Sequence, residues 1–124
     1  MITRGVQVWR YLLALALVLG VTLALRPLAP DQGPENWFPG ADKLHHLWFF
    51  AALWCLASLG RITPVALRSL GLVGFGVGLE VAQGLFTDTR GMSVADVLAD
   101  VAGLGLGALV IRWASGRQPQ EHRG

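Results

Sequence analysis

Charge is scarce in this sequence. Asp, Glu, Lys and Arg make up only 15% of its 124 residues, against about 25% in an ordinary soluble domain. A small chain has much surface for its volume and needs polar residues to cover that surface in water. Too little charge, with abundant apolar residues, excludes a disordered chain, a nucleic-acid-binding tail and a typical secreted module. Cysteine is nearly absent. The lone Cys55 excludes an intramolecular disulfide and any cysteine-based zinc module. The imbalance of charge is also slight, with 10 Lys and Arg against 8 Asp and Glu, too little to argue for nucleic acid. Alternation of period two is missing, which excludes half-buried strands. A membrane barrel would need at least about eight alternating segments, and the chain has four continuous apolar ones.

What is present points to a bilayer. Hydrophobic residues make up 53% and the mean hydropathy is +0.51. A spanning helix needs about 20 mostly apolar residues. The first such stretch covers 8–25 and stops at Arg26-Pro27, because proline lacks the amide hydrogen a helix needs. Arg4 and Arg10 resemble the basic region of a signal peptide. Thr22-Leu23-Ala24 is a poor cleavage site, however, so the stretch reads as a retained span. Residues 27–41 read as a loop rich in Pro and Gly. Further spans cover 42–59, 64–85 and 93–113, and 114–124 reads as a polar tail. The fold expected is all-α, a single domain forming an integral membrane bundle of four transmembrane helices.

Lys and Arg near the span ends set the orientation. Arg4, Arg10, Arg61, Arg68, Arg112, Arg117 and Arg123 fall on one side, and Arg26, Lys43 and Arg90 on the other. The richer side belongs in the cytoplasm, which places both termini there. Trp9, Tyr11 and Trp113 then mark the inner interface, and Trp37 and Phe38 the outer one. Two stripes of small residues, Gly74/Gly78 and Ala99/Gly103/Gly107, offer flat faces for helix contacts. They also permit a homo-oligomer. The run 103–108 matches a loose dinucleotide fingerprint, but it lies inside an apolar helix with no strand before it, so the match is spurious.

The remaining polar residues gather at one end. Asp42, Lys43, His45 and His46 open the second span, Glu80 and Gln83 close the third, and Arg90, Ser93, Asp96 and Asp100 open the fourth. Asp42/His46, Glu80/Gln83 and Asp96/Asp100 stand three or four residues apart, so each pair shares a helix face. Ionisable groups in a span generally face inward and mark function. Blander roles exist for several of them. Asp42 fits an N-cap, Ser93 with Asp96 fits a relaxed capping box, and Lys43 fits a snorkelling lysine. Glu80 fits a buried ion pair with Arg90 or Lys43. Asp100 lies too deep in its helix for capping and needs a proton, a partner or water.

Asp42-Lys43-x-x-His46, Glu80-x-x-Gln83, Arg90-x-x-Ser93-x-x-Asp96 and Gly103-x-x-x-Gly107, in this order and spacing over 42–107, resemble the VanZ-like family. Two positions depart from its pattern. Phe50 stands where a Tyr is frequent, so any hydroxyl role is lost, and Asp100 stands where an Asn is frequent. The resemblance implies a small multi-pass protein of the bacterial cytoplasmic membrane. The family's namesake is associated with reduced susceptibility to the glycopeptide teicoplanin.

The residues themselves suggest a site for an anionic cell-envelope molecule, such as a lipid phosphate or a cell-wall precursor, in the outer leaflet. His46, Glu80 and Asp96 are the candidate acid and base groups. Asp42, Lys43, Gln83, Arg90, Ser93 and Asp100 are the candidate ligand contacts, with Lys43 and Arg90 holding the anion. Whether chemistry occurs is left open, since Cys55 sits among apolar neighbours and Ser93 has no paired base. The other reading is a scaffold or accessory subunit whose polar cluster fixes helix packing. A metal site on His46 with Asp42, Glu80, Asp96 and Asp100 would rest on one well-placed histidine, so no metal and no cofactor is assigned. Membrane lipids are the expected partners.

Overall fold

The computed structural model describes residues 3–25, 40–86 and 94–116, and within them the chain is all-helical. Four helices follow in order: α1 (Arg4–Leu25), α2 (Ala41–Leu59), α3 (Val65–Phe86) and α4 (Val94–Gly116). Each lies where an apolar run was expected, with shifted ends. α1 begins four residues earlier than the apolar run because Thr3 caps it. The Val6 amide donates to Thr3 Oγ1 at 3.3 Å, which satisfies one of the amides a helix start leaves open. Within α1 the polar Thr22 donates its hydroxyl to the Val18 carbonyl at 2.9 Å, so it needs no outside partner. α4 continues three residues past Trp113, to Gly116. Trp37, Phe38, Arg90 and Ser93 lie outside the described residues, as do 27–39 of the loop expected at 27–41 and 117–124 of the tail expected at 114–124, while Ala41 already belongs to α2 and 114–116 to α4.

Gly40 is the N-cap just before α2, with a φ of 82°, and no side chain caps this helix start. The N-cap role expected of Asp42 is therefore not filled: Asp42 sits inside the first turn. Glycine suits this left-handed start, since a Cβ would clash with the backbone. α2 ends in a Schellman motif. The Ile62 amide donates to the Ala57 carbonyl at 3.0 Å and the Arg61 amide to the Ser58 carbonyl at 3.1 Å. Arg61 holds the left-handed position, with a φ of 52°.

α2 is the centre of the bundle, packed most extensively on α4 and also against α1 and α3. Phe50, Leu53, Trp54 and Ala57 of α2 form the core with Leu72 of α3 and Leu104 of α4. Backbone approach makes the α2–α4 contact. A Cβ on Gly103 would overlap the Leu47 carbonyl, and one on Gly107 would lie 2.7 Å from the Ala51 oxygen. Here the small-residue stripe works as expected. The other stripe does not. Gly74 and Gly78 face open space, while Gly76, on the opposite face of α3, is buried against Phe50 and Asp100.

The outside of the bundle is apolar. Leu70, Leu85, Phe86, Val94 and Trp113 are among many large hydrophobic residues left exposed. So much exposed apolar surface is far more than a soluble monomer of this size tolerates. α1, α3 and α4 are each long and apolar enough to cross a membrane. The chain is thus a membrane protein. α2 is not among these three, because its first turns carry Asp42, Lys43, His45 and His46.

The helices run alternately up and down. The end of α1, the start of α2, the end of α3 and the start of α4 therefore meet at one end of the bundle. The other end is basic. Arg10 donates Nε to the Gly60 carbonyl at 2.7 Å, tying α1 to the end of α2. Arg68 bonds the Ile62 carbonyl and the Ser58 hydroxyl, each at 3.0 Å, and lies over the Trp54 ring at 5.0 Å.

Candidate functional site

The polar end is built around His46. A histidine on the second turn of α2 points at α4 because Gly103 and Gly107 let those two helices approach closely. His46 Nδ1 meets Asp100 Oδ1 at 2.7 Å. A carboxylate only accepts, so Nδ1–H is the donor, and in the neutral imidazole Nε2 then carries the lone pair. Nε2 then faces two further carboxylates, with Asp96 Oδ2 at 3.7 Å and Glu80 Oε1 at 3.9 Å. Both distances exceed hydrogen-bond reach. His46, Glu80 and Asp96 each bring one donor atom within 4.8 Å of the others. Three helices supply them: α2, α3 and α4.

Burial grades across the group. The Asp100 side chain is 2% exposed and that of Glu80 4%, whereas Asp96 is 13% and His46 21% exposed. Lys43 marks the open edge, 43% exposed. It reaches Asp42 Oδ2 at 2.5 Å and Asp96 Oδ1 at 3.2 Å. The site is therefore closed below, by Phe50 and Gly76, and open at the level of Lys43. Snorkelling is not Lys43's only role, since it engages two carboxylates. Capping is not the whole role of Asp96, since it lies between Lys43 and His46.

Asp42, Lys43, His46, Glu80, Asp96 and Asp100 are thus brought together at one end. Gln83 turns elsewhere. It is buried and donates Nε2 to the Ala24 carbonyl of α1 at 3.1 Å. That carbonyl belongs to the last turn of α1, where a helix leaves oxygens without intrahelical donors. The bond ties α3 to α1. Arg90 and Ser93 belong to the segment outside the described residues. His45 is exposed, as its offset by one residue from His46 implies.

Two contributors to the site escape a reading of polar residues alone. Gly76 carries no chemistry, yet a Cβ there would lie 2.7 Å from Asp100 Oδ2 and 3.1 Å from Phe50 Cζ. It is the space that lets Asp100 be buried. Its signal in the sequence is its position four residues before Glu80, which puts it on the same face of α3. Phe50, one turn below His46, is fully buried and packs at ring-centroid distances of 5.7 Å from Phe49 and 6.1 Å from Phe75. At this position the site has an apolar floor and no hydroxyl. Cys55 stays apart from the cluster, its Sγ 3.9 Å from the Gly107 carbonyl.

Comparison with protein-family models, curated proteins and solved structures finds no match to this chain.

Proposed function

We propose that the chain is a VanZ-like, four-span protein of the bacterial cytoplasmic membrane that binds or modifies an anionic cell-envelope molecule at the outer leaflet. α2 serves as the fourth span. Its 19 residues extend about 28 Å at 1.5 Å per residue, close to the roughly 30 Å of a hydrocarbon core. Its polar turns face neighbouring helices and one open end, and a helix enclosed by others need not be apolar throughout. The basic end, with Arg10, Arg61, Arg68 and Arg112, belongs in the cytoplasm together with both termini. The polar end then lies at the outer leaflet.

The observation that carries the reading is the grading from Lys43 to Asp100. A cation at the open edge meets a charged headgroup first. Behind it His46 presents Nε2, its ring held by Asp100. A lipid phosphate or a cell-wall precursor is the class of molecule that brings such a headgroup to this depth. His46, Glu80 and Asp96 are placed to move a proton on it.

The test uses the full chain in mild detergent, with thermal unfolding followed as phosphatidic acid, a polyprenyl phosphate or phosphatidylcholine is added. The anionic lipids raise the midpoint of the wild-type chain, phosphatidylcholine does not, and Lys43→Ala removes the response while Arg61→Ala keeps it. An equal response to all three lipids, or an unchanged one in Lys43→Ala, overturns the reading. A link to glycopeptide susceptibility is tested by teicoplanin inhibition of cells with and without the chain.

A second reading has its own observation. His46–Asp100 joins α2 to α4 and Gln83–Ala24 joins α3 to α1, so polar ties cross both pairs. On that reading the cluster fixes helix register in a scaffold or accessory subunit. It requires that Lys43→Ala lower the stability of the chain without changing any response to anionic lipid.

A further inference from the structure

The headgroup reading meets an electrostatic difficulty. Among the described residues, Asp42, Glu80, Asp96 and Asp100 give four carboxylates at this end, against Lys43. With His46 neutral, these groups leave three negative charges over, and an anion approaching them is repelled. Burial makes the excess harder to sustain, because Glu80 and Asp100 lie away from water. Asp100 Oδ2 in particular is buried and has no hydrogen-bond partner among the described residues.

The geometry supplies a remedy. We propose that His46, Glu80 and Asp96 bind a divalent transition-metal ion of the zinc or manganese class, with Asp100 orienting the histidine. Ligand atoms at about 2.0–2.2 Å from an ion stand about 3–4 Å from one another. His46 Nε2 stands 3.7 Å from Asp96 Oδ2 and 3.9 Å from Glu80 Oε1. Those gaps are too wide for hydrogen bonds and the right width for an ion between the atoms. The three donor atoms lie within 4.8 Å of one another, so side-chain rotation of about an ångström closes the set.

The orientation of the imidazole is the independent observation. A metal-bound histidine characteristically donates its other ring N–H to a carboxylate, which fixes the tautomer and strengthens the ligand. Asp100 does this at 2.7 Å, leaving the Nε2 lone pair aimed between Glu80 and Asp96. One nitrogen and two carboxylate oxygens suit zinc or manganese, and the nitrogen disfavours magnesium. Three protein ligands leave a further position on the ion, on the side where Lys43 is exposed. The metal site stands on this geometry. That it supplies the positive charge for an anionic headgroup rests on the functional reading above.

The test takes the full chain in mild detergent, strips it with a chelator, and titrates it with Zn²⁺ and Mn²⁺ while counting bound metal by mass spectrometry of the digested sample. The expected result is saturation near one ion per chain for at least one of the two, with Mg²⁺ failing to displace it. His46→Ala and Glu80→Gln lose the ion, and His45→Ala retains it. Asp100→Asn binds about 10–100-fold more weakly. Co²⁺ absorption then reports a nitrogen–oxygen ligand set in the wild type that is missing in His46→Ala. Circular dichroism identifies which variants are folded, and Co²⁺ spectra of Asp96→Asn decide the matter if the others are not. A folded wild-type chain that takes up no ion, or one whose uptake survives in folded His46→Ala, overturns the proposal. Response to phosphatidic acid without metal uptake sinks the metal site alone, whereas metal uptake without that response sinks the headgroup reading alone.

Discussion

His46 of α2 and Asp100 of α4, 54 residues apart, meet through Nδ1 and Oδ1 at 2.7 Å in the most buried part of the polar end. The pair organises the site. It turns one imidazole nitrogen toward Glu80 and Asp96, and it holds the two helices that pack most closely. Removing the carboxylate leaves a buried imidazole N–H without its acceptor, which typically costs about 1–3 kcal/mol. Asp100→Ala is expected to lower stability by about that much. Asp100→Asn, which keeps the shape and one acceptor, loses less. Thermal unfolding in detergent measures both.

Gly103 and Gly107 govern the α2–α4 approach, while Gly74 and Gly78 face open space. Gly103→Leu is expected to destabilise by about 1–3 kcal/mol or to misfold, since added side-chain volume has nowhere to go. Gly78→Leu is expected to leave the unfolding midpoint nearly unchanged. The same melts, run side by side, check the contrast.

The two glycine stripes also show what the sequence conceals. Both have the same spacing, and both read equally well as contact faces. Spacing identifies residues that share a face but not which face meets a neighbour. The rotation of α3 is set by Gly76, whose missing side chain admits Asp100 and Phe50. The four helices were legible because apolar runs end at Arg26-Pro27, Gly60-Arg61 and the 87–93 segment. The gathering of His46, Glu80, Asp96 and Asp100 was legible from intervals of three and four residues and from the alternation of helix direction. Their pairing was not. Nothing in the spacing tells that Asp100 meets Nδ1 while Glu80 and Asp96 face Nε2, or that Gln83 turns to Ala24. Those depend on side-chain directions fixed only once the helices pack. The start of α1 was misplaced because Thr3 lies outside the apolar run that defined the span.

Gln83 donates to Ala24 across the α1–α3 contact. Gln83→Ala is expected to destabilise by about 0.5–1.5 kcal/mol, the usual worth of one such bond. Amide hydrogen exchange in the last turn of α1 is expected to rise, while exchange in α4 is not.

The orientation makes a separate prediction. In a Cys55→Ala background, a membrane-impermeant maleimide added to intact spheroplasts is expected to label His45→Cys at once. Arg61→Cys is expected to react only after lysis. Both positions are exposed at opposite ends of α2, so the reverse pattern means an inverted topology.

The central claim is that the polar end holds a ligand and is more than a clasp between helices. Native mass spectrometry of the full chain released from mild detergent, beside Glu80→Gln, addresses it directly. The account predicts a discrete lipid or metal adduct on the wild-type chain that is missing from a still-folded Glu80→Gln. No adduct on either chain, with Glu80→Gln unfolded or aggregated, would contradict it and leave the cluster a device for fixing helix register.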